Sequence, residues 1–357
     1  MKHIIAICFL VGLLFCMPIR VFAVDTTFYR GTVDSIGSDN TTMTVLIEDK
    51  DGVASKISIP TFADKSLLNA KYAVGDKLII SSQTVEKKAF YAVSDRDRTI
   101  QYIGLIALFV ALVVIIGRVQ GIISIGAMIV SFSLLTQFTI PQIIEGVDPI
   151  VVSMITALVI IPLTFYLSHG FSRKTSLAVI STLIALLLTA VLSVVFTKLG
   201  NLSGLSSDEA DAVIFKFGST LRLADLLIAG MIISAMGVLD DVTISQIGIV
   251  QALSKVRPDM KSHHLFAEAM EQGRDHIASL VNTLILVYAG AALPLFLLVY
   301  KSATPLWVVI QRESIAEEIT RTFVSSIGII AAVPIATVIA VKWGKRRVGH
   351  LQKEKLF

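Results

Sequence analysis

The chain has 357 residues, 54% of them hydrophobic and only 16% charged, with a mean hydropathy of +0.78 and a formal net charge of +4. Soluble domains carry about one quarter charged residues, so most of this chain is built for lipid, and the absence of a basic, aromatic-interleaved patch excludes nucleic acid as a partner. Both cysteines, Cys8 and Cys16, fall in the first 16 residues, so removal of that segment excludes thiol catalysis, disulfides and cysteine-metal sites.

Residues 1–24 have the layout of a signal peptide: Lys2, an apolar run over 4–17, and Val21-Phe22-Ala23 as a small-residue cleavage site. Phe15, before Cys16, is too large for a lipoprotein cleavage site. The competing reading is an uncleaved signal anchor. Either one places residue 25 outside the cytoplasm.

Over 25–98 the pattern changes to short alternating runs. Met43, Val45 and Ile47 alternate with polar residues, as do Ile57 and Ile59, and 78–80 and 90–93 are further apolar runs. Asp49-Lys50-Asp51-Gly52 and Gly75-Asp76 supply turns. Such runs predict about five strands, and this length suits a small extracytoplasmic barrel of the OB or SH3 type.

Residues 99–343 are predicted to form a seven-helix transmembrane domain, followed by a basic cytoplasmic tail over 344–357. The apolar segments cover about 100–117, 121–140, 149–168, 175–197, 224–253, 277–300 and 323–341, and a crossing takes about 20 residues. Arg118-Val119-Gln120 is so short that the first two make a tight hairpin. With the β-rich part outside, thirteen basic residues fall on the cytoplasmic side: Arg118, Arg173, Lys174, Lys255, Arg257, Lys261, Arg274, Lys342, Lys345, Arg346, Arg347, Lys353 and Lys355. Only six fall outside: Lys198, Lys216, Arg222, Lys301, Arg312 and Arg321. That asymmetry is the positive-inside pattern of a multi-pass protein of the bacterial cytoplasmic membrane.

Asp240 and Asp241 interrupt the fifth apolar segment, in Gly237-Val238-Leu239-Asp240-Asp241-Val242-Thr243-Ile244-Ser245-Gln246. A carboxylate in a membrane helix costs about 2.5–3.5 kcal/mol on insertion scales and usually faces a cavity or a partner. Neighbours in sequence point about 100° apart on a helix, so at most one of the pair aims at a given point. Thr243 and Gln246 add oxygen ligands one turn on, and Asn282 in the sixth segment is a candidate partner. Together these mark an ion or substrate pathway. The segment is too long for a simple crossing of a core of about 30 Å. Either it is broken near the aspartates, as a discontinuous helix, or its second half lies at the cytoplasmic surface. The plainer alternative is a hydrated pair at the cytoplasmic end of the span.

His264, Glu268, Glu271 and Asp275 recur at helical spacing and would share a face. This spacing allows a metal site, although no HExxH pattern is present and a solvated amphipathic face is the favoured reading. Asn282 and Thr283 also suit interhelical hydrogen bonding. Ser314 with Glu317 has capping-box spacing. No phosphate loop, nucleophile elbow or dinucleotide fingerprint occurs, and no cofactor can be read.

Three stretches resemble the YibE/F-like family of bacterial multispanning membrane proteins. They are Tyr91-Ala92-Val93-Ser94-Asp95-Arg96-Asp97-Arg98, the segment Gly237 to Gln246, and Gly273-Arg274-Asp275-His276-Ile277-Ala278-Ser279-Leu280-Val281-Asn282-Thr283-Leu284. The resemblance implies an integral membrane protein with an outer N-terminal region, and implies no reaction. A transporter or permease of a small solute or ion is therefore the leading expectation. An envelope accessory or assembly protein, binding a partner through its outer domain, is the second. An intramembrane hydrolase ranks last, because adjacent aspartates diverge on a helix rather than converging on one water.

Overall fold

The computed structural model describes residues 26–37, 42–48, 54–60, 72–85, 88–206, 208–218, 221–300 and 304–344. The signal segment 1–24, the turn at 49–52 and the basic tail beyond 344 lie outside the described residues. The chain divides into two compact units, one spanning 18–121 and the other containing 122–357.

The first unit opens with five strands: β1 (Thr26–Ile36), β2 (Thr42–Glu48), β3 (Ala54–Pro60), β4 (Lys77–Val85) and β5 (Lys88–Arg96). They form one sheet in the order β3-β2-β1-β4-β5, every neighbouring pair antiparallel. Register shifts between Val33 and Ser35 and between Ile79 and Ile80 bend the sheet into a half-barrel. Its core is Val33, Met43, Val45, Ile47, Ile59, Leu78 and Ile80; of the residues marked by alternation, Met43, Val45, Ile47 and Ile59 lie in it and Ile57 packs against it partly buried. Gly31 faces this core at the tightest point: an added Cβ would lie 2.6 Å from Val45 Cγ1 and 2.8 Å from Ile80 Cδ1. At the predicted Gly75-Asp76 turn, Gly75 has φ +94° and Asp76 accepts the Ala73 N–H at 3.0 Å.

Helix α1 (Thr99–Leu134) continues through a π-helical turn (Leu135–Thr139) and a short helix (Ile140–Ile144). Arg118 leaves the helical region, at φ 51° and ψ −133°. The chain folds back there. A Cβ on Gly121 would lie 2.3 Å from the Val113 carbonyl oxygen, whereas positions eight apart in a straight helix are about 12 Å apart.

The second unit is a helical bundle of α2 (Pro149–His169), α3 (Arg173–Leu199), α4 (Asp208–Phe217), α5 (Leu223–Val256), α6 (Ser262–Ala291), α7 (Leu293–Tyr300), α8 (Leu306–Val309) and α9 (Glu313–Gly344). Asp148 caps α2 by accepting from Ile150 N, and Ser172 caps α3 by accepting from Thr175 N. Helices α3, α5 and α9 form the centre, with α2 and the first half of α6 packed around them. Thr189 lies against Gly328, where an added Cβ would come 1.8 Å from its hydroxyl. Several buried hydroxyls donate to carbonyls one turn back, as in Ser181 to Leu177 at 2.7 Å and Thr337 to Val333 at 2.7 Å.

Contacts at the helix ends set directions. Arg222 pairs with Asp148 and, at 2.8 Å, with Asp225. Ser203 N donates to Glu313, and Ser206 to Glu317. The starts of α2, α5 and α9 therefore share one end of the bundle with the end of α3. Among the described residues five helical runs are long and apolar enough to cross a membrane, with Thr99–Ile144 taken as one run. This is coarser than the seven segments expected: the first run contains two of them, and the sixth is divided between α6 and α7.

Candidate functional site

Helix α5 carries Asp240 and Asp241 without a break over its 34 residues, so of the two forms open to this segment, the one broken at the pair is corrected to a continuous helix. Val242, Thr243, Ile244, Gln246, Ile247 and Val250 beyond the pair remain buried against neighbouring helices, and this packing holds the helix straight through it. Successive side chains diverge as helical geometry requires: Asp240 is half-buried and Asp241 exposed. Asp240 Oδ2 faces the Thr164 hydroxyl at 3.4 Å, while its Oδ1 is buried with no hydrogen-bond partner among the described residues. Thr164 has one proton to give, and the Ile160 carbonyl, at 2.9 Å, takes it at shorter range. Burial of a carboxylate this poorly partnered is costly.

Helical rise gives the depth. Thr164 is 15 residues beyond Pro149, about 22 Å, and five before His169, about 8 Å. Asp240 therefore sits well inside the bundle, nearer the end where α2 stops and α3 starts. That end is charged: His169 has Lys174 and Asp241 as its electrostatic neighbours. The Lys174 ammonium lies 3.0 Å from where a Cβ on Gly248 would stand, so the glycine makes room for it.

Thr243 and Gln246 lie on the buried face of the same helix. The Thr243 and Thr182 hydroxyls are 2.7 Å apart and join α5 to α3. Gln246 donates to the Ala269 carbonyl at 2.9 Å and to Thr337 at 2.8 Å, tying α5 to α6 and α9, while its Oε1 is buried without a partner among the described residues. Gly273 admits this amide, since a Cβ there would lie 2.6 Å from Val333 and 3.2 Å from Gln246 Nε2. Asn282 is exposed on α6, as is Thr283, which donates to the Ser279 carbonyl at 3.0 Å. Among the described residues no hydrogen bond joins Asn282 to the aspartates.

Residues His264, Glu268, Glu271 and Asp275 all lie on α6. His264, Glu271 and Asp275 are exposed, and Glu268 pairs with Arg257 at 3.1 Å. Among the described residues no group of three His, Cys, Asp or Glu side chains could hold a metal ion, so the quartet is not assembled as one. Of the four, His264 and Glu268 line a shallow hollow together with Arg257, Asp259, Met260 and Lys261, and Glu271 and Asp275 do not.

Two residues escaped sequence reasoning. Thr164 has no local signal; only packing of α2 on α5 makes it the neighbour of Asp240. Glu317 was expected to close a capping box with Ser314, but α9 begins at Glu313, which places Ser314 inside the first turn. Glu317 is buried and accepts from Ser206 across the bundle.

The apolar bundle and the β half-barrel define a polytopic helical membrane protein with an N-terminal β-rich part. The chain belongs to the YibE/F-like protein family, whose model matches residues 105–346. No curated protein and no solved structure matches it at a significant level.

Proposed function

We propose that this protein is a transporter or permease for a small ion or solute, with Asp240 on its pathway. The supporting observation is Asp240 Oδ1, an acceptor buried inside an unbroken helix and lacking a partner among the described residues. An ionisable group kept in a membrane span despite its insertion cost serves an ion or substrate. Asp241, exposed beside His169 and Lys174, lies at the mouth through which Asp240 is reached. The reading includes seven crossings of the cytoplasmic membrane, with 25–98 on the outer side as an OB- or SH3-like domain. Basic residues supply the orientation, and the fold-back at Arg118 supports two crossings within the first apolar run. In cells lacking the gene, Asp240→Asn at wild-type abundance should fail to restore function, Asp241→Asn should retain more, and full restoration by the double variant would remove the pathway role.

A second reading, an envelope accessory protein acting through its β-rich part, is favoured by one observation. Phe28 and Phe90 are 63% and 59% exposed on the sheet, as an aromatic contact with a partner would require. It expects deletion of 25–98 to be the damaging change and both aspartate variants to restore function.

A further inference from the structure

Hydrogen-bond accounting at Asp240 identifies what its side chain carries. A threonine hydroxyl has one proton to donate and lone pairs with which to accept. The Thr164 proton is used within α2: Oγ1 lies 2.9 Å from the Ile160 carbonyl oxygen and 3.1 Å from that of Ile161, bonded back to its own helix. Asp240 Oδ2, at 3.4 Å, therefore meets the lone pairs of Thr164 rather than its proton. An ionised carboxylate only accepts. It would set two acceptors face to face while Oδ1 stays buried with no partner among the described residues. A protonated carboxyl reverses the direction: its O–H donates to Thr164 Oγ1, and only a neutral carbonyl oxygen is left unpaired.

No counter-charge changes that account. Helices α2, α3, α6 and α9 pack against α5. Over 149–168 in α2, 175–197 in α3 and 322–341 in α9 there is no Asp, Glu, His, Lys or Arg. Tyr166 on α2 is engaged with Ser176 at 3.1 Å. On α6, Arg274, Asp275 and His276 follow the glycine packed on Gln246; the first two are exposed and the third is half-buried. Among the described residues no hydrogen bond or ion pair joins any of them to Asp240. Asp241, next in the chain and exposed toward His169 and Lys174, adds a like charge that repels an ionised Asp240. A hard metal cation gathers several oxygen ligands at once. Beside the Asp240 carboxyl the described side chains supply one, the Thr164 hydroxyl.

We propose that the ion carried is a proton, held on the Asp240 carboxyl with its O–H directed at the Thr164 hydroxyl oxygen. Loading adds one proton to a carboxylate oxygen and release returns it to water; no other bond changes. Thr164 is a positioning residue that accepts from the loaded acid. The proposal rests on the reading of Asp240 given above. It is tested with the full-length chain in proteoliposomes, under a potassium diffusion potential set by valinomycin. A trapped pH dye reports protons, and radioactive sodium is the competing probe. The wild type should carry protons, and Asp240→Asn should cut that flux at least ten-fold. Thr164→Val keeps the shape and removes the acceptor. The pH of half-maximal flux should then fall by about 0.5–1 unit, the worth of one hydrogen bond to the loaded acid. A rise instead would make Thr164 a donor to a carboxylate and overturn the assignment. An infrared difference spectrum in lipid near neutral pH, wild type against Asp240→Asn, needs neither transport nor a Thr164 variant. It should show the carbonyl band of a protonated carboxyl. A carboxylate band in its place overturns the proposal and leaves Asp240 on the pathway, as does a sodium flux that needs Asp240 without any proton flux. Absence of both fluxes from the wild type also overturns it, and complementation by Asp240→Asn then decides the earlier reading on its own.

Discussion

The β half-barrel buries almost only apolar side chains, whereas the helical bundle buries hydroxyl and amide side chains among its apolar ones. The seven core residues of the half-barrel, from Val33 to Ile80, are all apolar, and Ser82 is the one buried polar residue of the β part among the described residues. The bundle buries Thr182, Thr189, Ser193, Thr243, Gln246, Ser325 and Thr337, while Ile, Leu, Val and Phe side chains cover its outside. Water explains the first pattern, since each buried large apolar side chain contributes about 1.5–3 kcal/mol. Lipid explains the second: apolar groups gain little by leaving it, so helices associate through small residues and hydroxyl contacts. A carboxylate inside such an interior is therefore where chemistry is to be sought.

The sharpest way to break this comparison is to truncate each interior. Leu78→Ala should destabilise the β part by about 3–5 kcal/mol, read by urea unfolding of residues 25–98 expressed alone. That fragment should unfold cooperatively, and a mostly helical circular dichroism spectrum would count against it. In the bundle, Gly328→Val should cost about 2–3 kcal/mol by forcing α3 from α9, measured as unfolding of the full chain in detergent. Thr189→Ala in the same chain should return part of that loss; no rescue would mean that the two positions do not meet.

Exchanging hydroxyl and methyl sharpens the contrast. Val45→Thr should cost the β part about 1–3 kcal/mol, because its core offers the hydroxyl no partner. Thr182→Val, which removes the 2.7 Å contact with Thr243, should cost the bundle only about 0.6–1 kcal/mol. Equal costs would erase the distinction between the two interiors.

The smallest effect expected is a pH response of the β part. Hydrogen bonds from Arg98 and the Arg96 N–H hold the Asp95 carboxyl below its usual 3.8, and those from the Thr99 side chain and N–H do the same for Asp97. A carboxylate whose folded value is depressed stabilises the fold above its unfolded pKa, near 3.9, and loses that contribution as pH falls through the folded value. Acid titration of the chain should thus show a loss confined to below about pH 4. Asp95→Asn with Asp97→Asn should flatten it, and an unchanged acid limb would remove these two residues from the account.

Legibility in the sequence followed how local the cause was. Alternation in Met43, Val45 and Ile47 located their strand and its buried face, because a pleat repeats every two residues. Angular divergence of Asp240 and Asp241 was readable for the same reason, being a property of one helix. Whether the segment breaks at the pair was not readable from its length; burial of Thr243, Gln246 and Val250 against other helices keeps α5 regular. The capping box at Ser314 and Glu317 failed likewise: four residues can suggest a helix start, but the loop from Ser203 to Ser206 claims both Glu313 and Glu317.

By itself the sequence determined the division into a β-rich part and an apolar helical part, the strand pattern, the tight turn near Arg118 and the presence of an acidic pair within an apolar segment. All of these depend on composition, on period or on the bend of a few neighbouring residues. Only the tertiary structure decided that Asp240 rather than Asp241 faces the interior beside Thr164, that Asn282 is exposed, that His264 and its neighbours do not gather, and that Glu317 is buried beneath Ser206. Each of those depends on which helices pack together and in what register, and a side chain's partners across a bundle are set by contacts between residues far apart in the chain.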